Sequence, residues 1–270
     1  MKTTLSEKYN LNNPKIQKLV GYDIVNFKVE TKTEKYILKV YPDKKEEVDF
    51  AEAENKALFH LQKSKNDKFP NPIQNVNNEL LTLFKQENSK KVARLLTYLE
   101  GEFLGDAEHS LELFKSFGKF VAEMDLQLKD FRNYVIEARQ FKWDLQHFLL
   151  NEEYVKHIAN PIDRKIATYF FQQFKANVIP VLPSLRKQII HGDVNEWNTL
   201  TQNNQVSGLI DLGDLSYSQI INELAIALAY SLLGKDDPIK WAIPVISEYH
   251  KILPLKEKEI DILYWLIAAR

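Results

Sequence analysis

The chain has 270 residues, of which 44% are hydrophobic and 27% charged, so it is long enough for one large globular domain or for two lobes with sizeable cores. The net charge of −1 argues against a nucleic-acid partner, and the absence of cysteine excludes disulfides, thiolate metal sites and a cysteine nucleophile. The N-terminus lacks an apolar run, and no apolar run elsewhere could cross a bilayer, so we expect a cytoplasmic protein without a membrane partner.

The two parts of the chain carry opposite net charge. Up to Gly101 there are 18 Lys and Arg residues against 14 Asp and Glu, whereas the remainder has 18 against 23. A basic first part would suit the phosphates of a nucleotide, and an acidic second part would suit a positively charged small molecule. Both imbalances are small, and charge scattered over the surface explains them more simply.

The first part of the chain is predicted to form a small antiparallel sheet with one helix. Apolar, β-branched and aromatic residues predict strands over 19–29 and 35–40, joined by a polar turn. Two more strands are predicted over 79–85 and 90–98. The helix is predicted over 46–63, where apolar residues recur at helical spacing.

Lys39 and Glu54 are the candidate charged residues of this sheet and helix. Lys39 lies on the opposite face of its predicted strand from Leu38 and Val40. Taken alone, such a lysine is more often exposed, but it could reach phosphate oxygens if an acid held it. Glu54, on the largely apolar face of the predicted helix, offers that acid.

The second part of the chain is predicted to be mainly helical. Apolar residues at helical spacing predict helices over 111–128, 166–178, 220–233 and 257–270. Together with the sheet, these helices make the chain an α+β protein. Its one plausible internal boundary is at 98–101.

Trp143 and Asp144 form a first candidate site in the second part. An aromatic wall beside a carboxylate suits a substrate that carries an amine. The alternative is structural: a buried tryptophan at the start of a helix, with the aspartate as its N-cap.

Two loops carry the residues that point to phosphoryl transfer, at 191–198 and 208–214. Asp193 can accept a proton from an attacking hydroxyl, Asn198 lies five positions later, and Asp211 lies eighteen positions after Asp193. The apolar runs between them predict a hairpin whose open end brings these groups together. Amide and carboxylate oxygens suit Mg²⁺, although Asp and Asn most often serve only to cap turns.

The sequence His-Gly-Asp at 191–193, followed by Asn198 and by Ile-Asp-Leu-Gly-Asp at 210–214, resembles the signature of the aminoglycoside phosphotransferase and choline kinase superfamily. Within that superfamily, the sequence is most similar to the hydroxylysine kinase branch. A phenylalanine usually follows the metal-binding aspartate in these proteins, and Leu212 stands there in this chain. We expect Leu212 to serve as the same apolar anchor.

The resemblance implies a bilobal protein-kinase-like fold. The N-lobe would be a small antiparallel sheet with one helix, at 1–97, followed by a hinge at 98–101 and a larger, mainly helical C-lobe at 102–270. The apolar pattern of the last helix stops without a cap, and family members usually continue with more helix. We therefore expect a truncated C-lobe, or a chain that is fused to or associated with further domains.

The resemblance also implies roles for five charged or polar residues. Asp193 would be the catalytic base, and Asn198 and Asp211 would hold Mg²⁺. Lys39, paired with Glu54, would contact the phosphates of ATP or GTP.

Further nucleotide contacts are implied in the first part of the chain. The segment 21–27 resembles the glycine-poor nucleotide loop of the hydroxylysine kinase branch, in which Asn26 and Phe27 would close over the phosphates. Tyr98 and Leu99 would contact the adenine. Without the resemblance, an ordinary hairpin and a strand end would explain these residues.

The resemblance places an acceptor site and structural supports in the second part. Trp143 and Asp144 would border the acceptor together with Tyr217. His191 would orient the catalytic loop, and Glu223 would hydrogen-bond that loop from beneath.

The expected activity is that of a small-molecule kinase, with hydroxylysine or another hydroxylated amino compound as the first choice of acceptor. Homoserine, choline, ethanolamine or an aminoglycoside are alternatives. Another alternative is a catalytically silent nucleotide-binding domain that regulates a larger protein. A protein kinase is disfavoured, because the chain has no glycine-rich loop, HRD-type loop or APE-type segment.

Overall fold

The division of the chain into two compact units, 1–100 and 101–270, is the main feature of the computed structural model. The division falls within the segment 98–101 that the sequence analysis predicts as a hinge. The structure describes four stretches of the chain: residues 1–19, 24–63, 67–86 and 89–270.

An antiparallel sheet and two helices make up the described part of the first unit. In chain order these elements are α1 (Lys2–Tyr9), β1 (Lys15–Lys18), β2 (Val25–Glu30), β3 (Lys35–Pro42), α2 (Lys45–Gln62), β4 (Pro72–Ile73), β5 (Thr82–Gln86) and β6 (Ser89–Thr97). The strand order is β1-β2-β3-β6-β4, and β5 also pairs with β6. The predicted small sheet with its helix is confirmed, and α1, β1 and β4 are additional. Residues 20–23 of the predicted strand 19–29 lie outside the described residues.

The two faces of this sheet have different surroundings, because successive side chains of a strand point to opposite faces. One face packs against α1 in an apolar core that includes Leu5, Val29, Leu38 and Leu95. On the other face, Arg94 of β6 contacts α2. Lys39 lies directly opposite Arg94 in the pairing of β3 with β6, and therefore shares its face.

The described residues of the second unit combine helices with two small sheets. Its elements are β7 (Glu102–Phe103), α3 (Leu111–Leu128), α4 (Tyr134–Glu137), α5 (Pro161–Gln173), β8 (Lys187–Ile190), β9 (Thr199–Gln202), β10 (Gln205–Leu209), β11 (Ser216–Gln219), α6 (Ile220–Ser231), α7 (Pro238–Ile252) and α8 (Glu257–Ala269). Strand β9 pairs with β10 and β7, and β8 pairs with β11. The prediction of a mainly helical second part is confirmed.

Two helices of the second unit, α5 and α7, differ from the sequence predictions. Helix α5 begins five residues before the predicted 166, because the side chain of Asn160 accepts a hydrogen bond from the N–H of Ile162 and so caps it. Helix α7 was not predicted. It contains Pro244, a residue that normally interrupts a helix, and that signal conceals an otherwise periodic pattern.

Helices α3 and α7 pack closely, and Gly118 is the point of contact. A Cβ atom on Gly118 would lie 2.2 Å from the carbonyl oxygen of Val245. Nearby, the hydroxyl of Tyr249 donates a hydrogen bond of 2.5 Å to the buried carboxylate of Asp125.

Among the described residues, no helix is both long and apolar enough to cross a membrane.

Substitution of Gly118 by alanine should destabilise the second unit. The added methyl group would force α3 away from the backbone of α7, and such overpacking costs about 1–3 kcal/mol of unfolding free energy. Thermal unfolding of Gly118→Ala against Lys119→Ala, a surface change on the same helix, measures the difference. Equal midpoints for the two variants would show that the helices do not approach as closely as described.

Candidate active site

The β9–β10 hairpin brings two of the predicted metal ligands to its open end. Its turn is formed by Asn203 and Asn204, both with positive φ, the backbone conformation of a tight two-residue hairpin. At the other end, the N–H of Ile210 donates a 2.9 Å hydrogen bond to the carbonyl of Asn198. Asn198 and the adjoining Asp211 therefore leave the hairpin side by side.

The His-Gly-Asp loop follows β8 and is held from below by α6. The buried carboxylate of Glu223 accepts hydrogen bonds from the backbone N–H groups of His191 and Gly192. This is the contact that the sequence analysis expects of Glu223. Burial raises the pKa of this carboxyl above its usual range, and the two backbone N–H groups partly offset that effect.

The imidazole of His191 links this loop to the hairpin. Its Nε2 lies 3.2 Å from the carbonyl oxygen of Ile210, which can only accept, so Nε2 carries the proton. Its Nδ1 then accepts a 3.3 Å hydrogen bond from the N–H of Asp193. The ring therefore fixes the backbone that carries Asp193, as the sequence analysis expects.

The side chain of Asn198 is oriented by Asp193. Its Nδ2 donates to the Asp193 carbonyl oxygen at 2.9 Å and to Asp193 Oδ2 at 2.8 Å. Both partners are acceptors, so the amide nitrogen must face them and the amide oxygen must face away. That oxygen is of the kind that Mg²⁺ prefers in proteins.

Three carboxylates concentrate negative charge around this amide. The pKa of Asp214 is raised to about 6, mainly by burial and also by the charges of Asp193 and Asp211, while Arg139 and Arg270 oppose the shift. A divalent cation would relieve this repulsion. Asn198 and Asp211 together match the one or two carboxylate and amide oxygens through which proteins hold Mg²⁺, so the residues present fit this metal.

The backbone at Asp211 is in the left-handed region, with φ 62° and ψ 80°. A non-glycine residue holds this conformation only where its surroundings fix it, and such residues cluster at functional sites. Here the conformation turns the chain sharply between β10 and the 3₁₀ turn Leu212–Asp214.

The ion pair that the sequence analysis expects between Lys39 and Glu54 stays a prediction, and the structure adds Arg94 as a partner of Glu54. Glu54 Oε2 forms its ion pair with Nη2 of Arg94 at 2.7 Å, and both side chains are buried. Arg94 also donates to Asn55 and lies over the ring of Tyr41. The strand register places the forked guanidinium of Arg94 beside Lys39 on the face that meets α2.

Asn26 and Phe27 point to opposite faces of the first sheet. Asn26 lies opposite Lys39, and its buried Oδ1 accepts no hydrogen bond from a described residue. Phe27 packs against the apolar core on the other face. Residues 21–23 of the expected nucleotide loop lie outside the described residues.

Tyr98 and Leu99 follow the end of β6. The N–H of Tyr98 donates to the carbonyl of Lys35 at 3.2 Å, and the tyrosine ring lies 4.9 Å from the ammonium of Lys28. Leu99 is half-buried.

Asp144 and Tyr217 have structural contacts. The carboxylate of Asp144 is buried, accepts from the N–H of Gln146 and receives the hydroxyl of Ser218 at 2.7 Å. It caps the 3₁₀ segment Leu145–His157, as in the structural alternative, but Trp143 is exposed rather than buried as that alternative expects. The ring of Tyr217 lies 5.1 Å from the guanidinium of Arg132.

Trp143 is linked to the His-Gly-Asp loop by Arg270, a residue that the sequence analysis missed. Arg270 donates from Nη1 to the Trp143 carbonyl and from Nη2 to Asp193 Oδ1, each at 2.8 Å. Arg139 was also missed, and it donates to the carbonyl of Gly213 at 2.7 Å. Neither arginine belongs to a motif, so only three-dimensional proximity identifies them.

A family model described as "phosphotransferase enzyme family" matches residues 18–260 of the chain. Among curated proteins, the chain is similar to the hydroxylysine kinase of Danio rerio, with 29% identity over 97% of this chain and 78% of that protein. It is also similar to the hydroxylysine kinase of Xenopus laevis, with 27% identity over 97% of this chain and 76% of that protein.

Two solved structures are similar in fold. A microcompartment-associated aminopropanol kinase gives a TM-score of 0.75 at 13% identity, covering 98% of this chain and 84% of that chain. An amicoumacin kinase in complex with AMP-PNP and Ca²⁺ gives 0.71 at 14% identity, covering 93% of this chain and 77% of that chain. The predicted bilobal, protein-kinase-like α+β fold is confirmed.

Gly192 should not tolerate a side chain. Its φ is +79°, and a Cβ atom there would lie 2.4 Å from the carbonyl oxygen of Asp214. Gly192→Ala should therefore separate the loop of Asp193 from the loop of Asp211 and lower catalytic turnover by about 100-fold, the scale of a small misplacement of catalytic groups.

Gly234→Ala is the matched control. Gly234 also has a positive φ, of +70°, but a Cβ atom there would have no described neighbour within 4 Å. It should lose only the stability that backbone strain costs, about 1–2 kcal/mol, with turnover unchanged. Equal losses of turnover in the two variants would contradict a contact between the two loops.

Proposed function

Because the chain belongs to the phosphotransferase enzyme family, we propose that it is a small-molecule kinase that transfers the γ-phosphoryl group of ATP or GTP to a hydroxyl of an amine-bearing acceptor. The observation that carries the proposal is the arrangement at the catalytic loop. Asn198 turns its amide nitrogen to Asp193 and its oxygen away, and its backbone carbonyl pairs with Ile210, the residue before Asp211, which supports a proton acceptor and a metal-binding pair in one site.

Asp193 acts as the general base in this proposal. Its carboxylate accepts the proton of the acceptor hydroxyl as that oxygen forms a bond to the γ-phosphorus. The bond from the γ-phosphorus to the bridging oxygen breaks, and the nucleoside diphosphate leaves with the electron pair. Such a transfer depends mainly on positioning and charge neutralisation, which suits a site built from fixed loops.

Asn198 and Asp211 are the residues that would hold Mg²⁺. When bound, the ion neutralises charge on the phosphate oxygens and so lowers the barrier to transfer.

Lys39 is the residue that we propose for the nucleotide phosphates. It is buried, and Asn26 beside it offers a polar atom with no described partner on the same face of the sheet. Glu54 supports this face through Arg94. For the adenine we propose the backbone of Leu99, since the N–H of Tyr98 is already donated to Lys35.

Hydroxylysine, or a similar hydroxylated amino compound, is the acceptor that we propose first. The relatives from Danio rerio and Xenopus laevis are named hydroxylysine kinase and match nearly the whole chain. Trp143, 68% exposed beside the catalytic loop, offers an aromatic face to the amine of such an acceptor. Homoserine, choline, ethanolamine and aminoglycosides are the alternatives to be screened.

Release of ADP or GDP should depend on both the acceptor and Asp193. With Mg²⁺ and nucleotide present, hydroxylysine should stimulate release more than the alternatives do. Asp193→Asn should lower turnover by about 100-fold or more, because general base catalysis contributes roughly 10²–10⁴-fold. The same variant should keep its affinity for Mg-nucleotide in calorimetry, since Asn198 and Asp211 are unchanged.

No acceptor-dependent turnover, together with intact Mg-nucleotide binding, would contradict the kinase proposal. That result would favour a silent nucleotide-binding domain that regulates another protein.

A further inference from the structure

Arg270 contacts Asp193, although none of the roles proposed above involves this arginine. Helix α8 is buried along Ile262, Leu263 and Leu266 and is anchored at its start by Glu259. The buried carboxylate of Glu259 receives Nε and Nη2 of Arg186 at 2.8 and 2.6 Å. The helix is therefore fixed in place and delivers Arg270 at its other end to the catalytic loop.

The guanidinium of Arg270 is enclosed by groups that recognise a cation. Its two terminal nitrogens donate to Asp193 Oδ1 and to the carbonyl of Trp143. Its central carbon lies 5.4 Å from the ring of Tyr230 and 5.9 Å from the ring of Trp143. The arginine side chain is only 6% exposed.

Simple stabilisation does not explain this placement. The side chain of Asp193 is 23% exposed, so water could solvate its carboxylate without any arginine. Arg270, in contrast, loses nearly all of its hydration, and its buried Nε donates no hydrogen bond to a described residue. A buried cation with an unsatisfied donor costs stability, so stabilisation does not account for the burial of Arg270.

The explanation lies in the orientation of the carboxylate. An aspartate carboxylate rotates freely about its last torsion unless partners hold it. Here Asn198 holds Oδ2 and Arg270 holds Oδ1, each at 2.8 Å. With both oxygens held from two sides, the remaining lone pairs of Asp193 point in one fixed direction.

We infer that Arg270 is a positioning residue for phosphoryl transfer, which fixes the Asp193 carboxylate towards the acceptor hydroxyl and thereby acts through Asp193. This inference rests on the proposed kinase function. Trp143 contributes to this positioning, since its carbonyl and ring hold the guanidinium of Arg270 in place.

Arg270→Ala should lower kcat by about 100-fold, the scale expected when a catalytic group loses its orientation. The KM for nucleotide should stay within about twofold of the wild type, because no proposed nucleotide contact changes. Arg270→Lys should recover only part of kcat, since an ammonium lacks the planar fork that bonds Asp193 and Trp143 at once. Arg164→Ala is the matched control, an exposed arginine on α5 whose loss should leave kcat unchanged.

Guanidinium rescue and a double-mutant cycle separate positioning from a merely structural role. Millimolar guanidinium should raise kcat of Arg270→Ala and leave Asp193→Asn unaffected. Adding Arg270→Ala to Asp193→Asn should change the remaining turnover by no more than about twofold, because residues that act as one unit are not additive.

Several results would overturn the inference. Wild-type kcat in Arg270→Ala, or kcat losses that multiply in the double variant, would show that Arg270 does not act through Asp193. If Arg270→Ala fails to fold or to bind nucleotide, Arg270→Lys decides. A wild-type kcat in that variant excludes the positioning role, and a reduced kcat at unchanged nucleotide KM supports it. Absence of turnover in the wild type would instead remove the proposed function, and the positioning role with it.

Discussion

The hydrogen bonds from two backbone N–H groups to the buried carboxylate of Glu223 are the interaction on which the site depends. They fix His191 and Gly192, and therefore the direction in which the chain delivers Asp193. The arrangement is costly, because a buried carboxylate must be solvated by the protein itself. Asp125 lies buried close enough for the charge of Glu223 to raise its pKa in addition to burial, and Tyr249 offsets part of that effect. The fold thus buries two carboxyls, of which Glu223 holds the loop and Asp125 bonds Tyr249 of α7.

A second constraint shapes the first unit, where the strand register sets which charges share a face. Asn26, Lys39 and Arg94 lie in one row across β2, β3 and β6. The buried ion pair between Arg94 and Glu54 joins this face of the sheet to α2. Lys39 is thus held beside a fixed cation, in a setting that favours an anionic ligand such as a phosphate.

Local sequence patterns predict many of the helices, strands and loops of this structure, whereas they do not predict the contacts between distant segments. The bounds of α3 and the loops around Asp193 and Asp211 follow from helical periodicity and from short motifs. Arg94 could not be assigned to Glu54, because that contact depends on the register between two strands. Arg270 could not be placed at Asp193, since 77 positions separate them and only the packing of α8 joins them. The role of residues 21–23 in a nucleotide loop stays a prediction, because these residues lie outside the described part of the chain.

Identification of the reaction product tests the central claim, that these loops form a site for phosphorylating a hydroxyl, most directly. The chain would be incubated with Mg-ATP and hydroxylysine, and the acceptor characterised by mass spectrometry and ³¹P NMR. The account predicts one phosphate ester on the hydroxyl oxygen, formed in equal amount with ADP. Inorganic phosphate and unmodified acceptor, for hydroxylysine and for every alternative hydroxylated amine, would contradict it.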